Sequence, residues 1–167
     1  SSGGTMPFCR KNLPVQNVIY QCSEDGINDT IKPRLIKAKA DCSHIAFINE
    51  DEYPLILGSE ILEQAIADFN AKLVVIDHIN HDTITDVIDT RFTIGLTVQP
   101  HKLSPKDAVK ILEEYGFDRF LLNSDMSNKP SNILSLPNTI NELNNRQYSQ
   151  KNIDKIAFKN AKTFFNI

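Results

Sequence analysis

The chain has 167 residues, 41% hydrophobic and 23% charged, with a formal net charge of -3 and an isoelectric point near 5.8. That balance suits one globular domain able to bury its own core, and it supplies no strong field for DNA or anionic lipid. No apolar run reaches the roughly 20 residues needed to cross a bilayer, so neither a nucleic-acid nor a membrane partner is expected.

From the amino end, "SSGGTMPF" lacks the charged and apolar regions of a signal peptide and reads as a tag scar or a fragment edge. Cys9, Cys22 and Cys42 show no CxxC or CxxH spacing. An odd count without a secretory segment suggests reduced thiols and a cytoplasmic protein. "NVIYQCS" is the first short apolar run of strand type. Lys32, Arg34, Lys37 and Lys39 follow at helical spacing as a solvated face. "HIAFIN" is the second run; its His44 reads as a structural or exposed imidazole, and "NEDEYP" beyond it as a solvated loop. "GSEILEQAIADFN" sets Ile61, Leu62, Ala65, Ile66 and Phe69 on one helical stripe.

"KLVVID" is the third run, and "DTITDVID" then places Ile84, Val87 and Ile88 on one helical face. "FTIGLTVQ" is the fourth, followed by "SPKDAVKILEEYG", a helix with Ser104 as N-cap, Pro105 at its first position and Gly116 as its stop. "RFLLNSD" is the fifth. "SQKNIDKIAFKNAKTFF" closes the chain as a helix with Ile153, Ile156, Ala157 and Phe164 inward. Each apolar run suits a strand buried on both faces, and the alternation predicts an α/β fold: a mostly parallel sheet of about five strands flanked by helices and built from βα units. A single domain spanning residues 1–167 is expected.

Ligands of open parallel sheets bind where strands pass into their loops at the carboxyl ends. Those ends carry Glu24 and Asp25, Asn49 to Glu52, Asp77 and His78, Gln99 and His101, and Asn123 to Asp125. Two chemistries compete for them. "LVVID" presents Asp77 to a hydrated magnesium ion and "YQCSEDG" presents Glu24 to an attacking water, as phosphoryl transfer requires. Beyond that logic, "VIYQCSEDGINDTIKPRL", "KADCSHIAFINEDEYPLIL" and "EILEQAIADFNAKLVVID" make residues 18 to 77 resemble the RecA-like ATPases of plasmid and phage replicative helicases, the RepA type. The resemblance implies ATP and magnesium, with Glu24 as catalytic glutamate and Asp77 as the Walker B aspartate. The chain has no G-x-x-x-x-G-K-[ST] loop to hold the phosphates, a departure from that family.

The second chemistry is hydrolytic. Imidazole and carboxylate at the ends of neighbouring parallel strands can hold a divalent metal ion that activates water, which makes His78 and Asp125 a candidate pair, with His81 three residues beyond His78 as a third ligand. "VIDHINHDTITDVIDT", "IGLTVQPHKLSP", "YGFDRFLLNSDMSNKPS", "LSLPNTINEL" and "NIDKIAFKNAKTFF" resemble the last three βα units of TatD-related metal-dependent hydrolases, which are amidohydrolase-like barrels. The resemblance implies His78 as the histidine near the sixth barrel strand and Asp125 as the aspartate ending the eighth, acting on a phosphodiester or related small-molecule substrate. The paired H-x-H of that family's first strand has no counterpart here, His81 stands where an acidic residue is usual, and Asn132 stands where "PSD" is usual.

The two resemblances meet at Ile76 to His78, so the chain reads as a hybrid of residues 1–77 and 78–167. Successive side chains on a strand point to opposite faces, and Asp77 and His78 therefore share one site only if the strand ends or bulges there. The expected function is a partial metal-dependent hydrolase, impaired by its missing ligands. The alternatives are an ATPase remnant with a nucleotide substrate and a non-catalytic folding or interaction module. No residue pattern specifies an oligomeric state.

Overall fold

The computed structural model describes residues 3–5, 12–20, 26–48, 56, 59–68, 70–71, 73–126 and 130–166. The chain divides into two compact units, Ser1–Lys72 and Leu73–Ile167. The fold is α/β, with the parallel strands in two sheets of two and three rather than in one sheet of five.

In the first unit a short antiparallel pair, β1 (Gly4–Thr5) and β2 (Asn12–Leu13), precedes β3 (Val18–Tyr20) and β4 (Ile45–Phe47). The last two run parallel with Val18 opposite Ile45 and Tyr20 opposite Phe47. Between them a π-helical turn, Ile27–Ile31, runs into α1 (Lys32–Lys37), whose basic residues are exposed as expected of a solvated face. Asp41 caps the short 3-10 turn Cys42–His44, accepting from the Ser43 amide. His44 takes a structural part: its Nδ1 lies 2.7 Å from Asn17 Oδ1. Cys42 is a free, exposed thiol. Among the described residues this sheet has two strands and neither is flanked on both edges, and Val18 and Tyr20 are partly exposed instead of doubly buried. The expected helix forms as α2 (Glu60–Asp68) with Ile66 buried; Ile61, placed on the same stripe by periodicity, is 51% exposed. Cys9, Cys22, Glu24, Asp25, the Asn49–Glu52 stretch and Phe69 lie outside the described residues.

The second unit holds the sheet β5-β6-β7, all parallel: β5 (Val75–Ile76), β6 (Thr93–Thr97) and β7 (Phe120–Asn123). Only the central strand β6 meets the expectation of burial on both faces; Ile94 and Leu96 are fully buried. Two helices connect the strands. In α3 (Ile84–Val87), Ile84 and Val87 face the core as their spacing predicted. α4 (Pro105–Tyr115) starts at the Ser104 cap, has Pro105 in its first turn and stops at Gly116, whose φ of 87° carries the chain out of the helix. Its buried face is Ala108, Val109, Ile111 and Leu112.

After β7, α5 (Ser135–Asn145) packs on α4. Periodicity did not flag it, because its inward stripe at intervals of four is Ser135, Thr139 and Leu143, two polar residues and one apolar. The Thr139 hydroxyl is satisfied within the helix by donating to the Ser135 carbonyl at 2.9 Å. The last helical stretch begins as α6 (Gln150–Asp154), widens into a π turn over Lys155–Lys159 and ends as α7 (Asn160–Phe165). The wider turn shifts the phase of everything beyond it. Ile153 and Ile156 stay buried, whereas Ala157 is exposed, and Asn160 comes inward to donate from Nδ2 to the Phe117 and Phe120 carbonyls at 2.7 and 2.8 Å. No helix among the described residues is long and apolar enough to cross a membrane.

The amino-terminal edge of the three-stranded sheet is held by Arg119. Its Nη1 donates to the Ile88 carbonyl at 2.6 Å and its Nη2 to the Phe92 carbonyl at 2.6 Å, with a further bond from Nη2 to the Thr90 carbonyl. One planar guanidinium thus satisfies three carbonyls of the α3-to-β6 connection. Arg119→Ala is expected to lower unfolding stability by about 2–3 kcal/mol, read by denaturant titration, because it strands those acceptors. Arg119→Lys should recover less than half of the loss, since a single ammonium cannot span the three.

The Ser104 cap gives a pH signature. Its amide-side partner Asp107 donates N–H to Ser104 Oγ at 3.1 Å, while the Ser104 hydroxyl donates to Asp107 Oδ2 at 2.6 Å and Lys110 to Oδ1 at 2.9 Å. The Ser104 hydroxyl first, then Lys110, holds the Asp107 carboxyl below its ordinary value of 3.8. A lowered folded-state pKa contributes stability that is complete above that ordinary value and lost as pH falls through the folded one. Ser104→Ala is expected to cost about 1 kcal/mol at neutral pH, and to flatten the acid limb of the stability-against-pH curve below pH 3.8.

Candidate functional site

The carboxyl ends of β5, β6 and β7 lie side by side because the strands are parallel, with Thr97 of β6 in register with Asn123 of β7. At this end β5 leaves the ladder after Ile76, and the chain rejoins β6 when Ile79 N–H donates to the Gly95 carbonyl at 3.1 Å. Asp77 and His78 form the detour between, and His78 takes φ of 63°. The detour resolves the geometric conflict that an unbroken strand would impose, since two consecutive side chains now serve the same end of the sheet.

Asp77 folds across the central strand. Its Oδ1 accepts from the His78 amide at 2.8 Å, the Thr97 hydroxyl at 2.9 Å and Asn123 Nδ2 at 2.9 Å. One carboxylate oxygen therefore joins all three strand ends. Gly95 makes the approach possible: a Cβ there would sit 2.2 Å from Asp77 Oδ1 and 3.1 Å from Asp77 Cα. Thr97 is buried, and Asp77 supplies the partner its hydroxyl needs.

A second set of contacts runs through Lys102. Gln99 and Leu103 form a bridge, the Lys102 amide donates to the Gln99 carbonyl at 3.1 Å, and His101 between them has φ of 67°. This is a tight turn with Pro100 at its second position, and it returns Lys102 to the strand ends. The ammonium donates to Asp125 Oδ2 at 3.0 Å and lies 3.3 Å from His78 Nδ1, which accepts in the tautomer protonated at Nε2. The Lys102 and Asp125 side chains are 30% and 18% exposed, a partly solvated ion pair. Asp125 has φ of 41°. Three non-glycine residues in the left-handed region, His78, His101 and Asp125, thus surround one end of one sheet, the kind of backbone cost that accumulates at functional sites.

His78 and Asp125, paired on sequence grounds, are brought to one ammonium. His81 lies in the turn that opens α3, is exposed, and has Asp107 among its electrostatic partners. Among the described residues no three His, Cys, Asp or Glu side chains gather where one ion could take them all. Asp77, expected to face magnesium, has Oδ1 occupied by three donors, and Glu24 lies outside the described residues. Lys102, Thr97 and Gly95 were not singled out from sequence. The Lys102 signal was present as the cation beside His101 in the loop that follows the fourth apolar run.

The uncharacterized metal-dependent hydrolase MJ0761 of Methanocaldococcus jannaschii is 38% identical to this chain over 97 residues, which are 58% of this chain and 38% of that protein. The chain therefore spans well under half of the length of this relative. No family model matches the chain, and no solved structure matches it. The hydrolase resemblance thus has support at the level of a hydrolase-like segment, whereas nothing found supports the RecA-like resemblance of residues 18 to 77 or a hybrid origin.

The Gly95 and Asp77 contact is open to a double-mutant cycle. Gly95→Ala is expected to cost about 2–3 kcal/mol by overpacking, because its Cβ meets Asp77. Asp77→Ala should cost less by itself, and the double variant should be at least 1 kcal/mol more stable than the two losses added, a coupling of the size seen for residues in contact. Additive losses would show that Asp77 does not occupy this position.

Proposed function

We propose that Leu73–Ile167 carries the strand-end portion of a metal-dependent hydrolase of the TatD-related kind, acting on a phosphodiester or related ester. The observation that carries this reading is the convergence of His78 and Asp125, from different strand ends, on one point occupied by a positive charge. The identity to a protein named a metal-dependent hydrolase supports it. Imidazole nitrogen and carboxylate oxygen are suitable donors for a divalent ion, but two donors are fewer than the three protein ligands of an ordinary catalytic zinc site. The described residues by themselves do not complete one.

Within this reading the chain's own residues have distinct roles. Asp77 is a positioning residue: through Thr97 and Asn123 it fixes where the β5 detour leaves His78. His78 and Asp125 are the metal-facing pair. His81 is assigned to the approach loop and carries no ligand role by itself.

The test is hydrolysis of bis(p-nitrophenyl) phosphate with millimolar manganese or zinc present. A chelator-sensitive rate above that of the metal in buffer is expected, falling to the buffer rate in His78→Ala and Asp125→Ala. Asp77→Asn should retain a measurable fraction, because the amide oxygen still accepts part of the hydrogen-bond set. A rate indifferent to both ligand substitutions, or no rate above the buffer, would overturn the assignment.

A further inference from the structure

We propose that Asn160 guards the open edge of the three-stranded sheet against strand addition by a second copy of this chain. Among the described residues no strand lies beyond β7, which ends the order β5-β6-β7. The ladder to β6 fixes which of its backbone groups face outward. The Ile94 amide donates to the Arg119 carbonyl and the Val98 amide to the Asn123 carbonyl, both at 2.9 Å. Successive residues of a strand direct their backbone groups to opposite edges, so Phe120 and Leu122 turn theirs away from β6. An edge of this kind, carrying the apolar run Phe120, Leu121 and Leu122, is a template for another strand.

Asn160 occupies the first of those outward groups. Its Nδ2 donates to the Phe120 carbonyl at 2.8 Å and to the Phe117 carbonyl at 2.7 Å, which engages both of its N–H bonds. Two acceptors fix the orientation of the carboxamide, since its oxygen could serve neither. The π turn and α7 pack against β7 and bring backbone bulk to the same edge. Lys155 of that turn pairs with Asp118, so a charge also stands beside the point where the strand begins. An incoming strand is left with Leu122 alone among the outward residues of β7, fewer than the roughly three residues of the shortest ordinary strands.

The experiment is sedimentation velocity of the full chain over a range of concentrations, with backbone hydrogen exchange followed at Leu122. Asn160→Ala is expected to lower the concentration at which half of the protein self-associates by about 10-fold or more, the factor that goes with freeing one or two hydrogen-bonding groups. Exchange at the Leu122 amide should then slow as concentration rises. Asn160→Ala combined with Leu122→Pro should return to the unaltered behaviour, because proline removes the outward N–H and is tolerated where that group makes no ladder bond. Arg119→Ala, whose lost bonds lie on the β6 side of the strand, should be destabilised without associating. Association in Asn160→Ala that persists with Leu122→Pro, or that Arg119→Ala matches at the same folded fraction, would overturn the proposal. So would a folded Asn160→Ala that associates no more than the unaltered protein. Thermal unfolding reports the folded fraction of each variant, and Asn160→Gln, which moves the carboxamide by one methylene, repeats the test should the alanine variant fail to fold.

Discussion

A carboxylate lying flat across a strand can do so only where that strand offers no side chain, and Asp77 over Gly95 is the contact on which this sheet end depends. From it follow the bonds to Thr97 and Asn123, and with them the alignment of three strand termini. The β5 detour follows as well, because Asp77 turned across the sheet leaves His78 to reverse the chain with a positive φ before Ile79 re-enters the core. Ile79 is buried, so the detour is anchored at both of its ends by the ladder and the apolar interior.

On that platform the charged groups are placed by directed hydrogen bonds. Two carboxylates, Asp77 and Asp125, stand at one end of the sheet: the first accepts from neutral donors, and the second accepts from the Lys102 ammonium. The Lys102 ammonium is what brings His78 and Asp125 to one point, 3.3 Å from the first and 3.0 Å from the second. At this sheet end the second unit presents imidazole and carboxylate groups, and among the described residues no three of them are placed to hold one ion.

Legibility from sequence divides along similar lines. α4 could be read to the residue because its determinants are local: a capping serine, a proline that needs no amide partner, and a glycine free to take positive φ. The five apolar runs all became strands, since strand propensity and hydrophobic content act over a few residues. α5 escaped notice because its buried stripe is polar and self-satisfied. The π turn at Lys155–Lys159 escaped because a single widened turn leaves no periodic trace and shows only as a phase error, with Ala157 outside and Asn160 inside. In the site, the acidic and imidazole residues were visible as types, but Lys102, Thr97 and Gly95 were invisible as partners.

The amino-acid sequence by itself determined element type, helix boundaries where caps are strong, and the set of chemically capable side chains at the strand ends, because these depend on neighbours a few residues away. Tertiary structure alone decided that the parallel strands form sheets of two and three, that Asp77 bridges β6 and β7, and that an ammonium stands between His78 and Asp125. Those outcomes join residues separated by whole helices. They depend on strand register, on the missing side chain at Gly95 and on the turn that returns Lys102, and no local preference encodes distances between atoms so far apart along the chain.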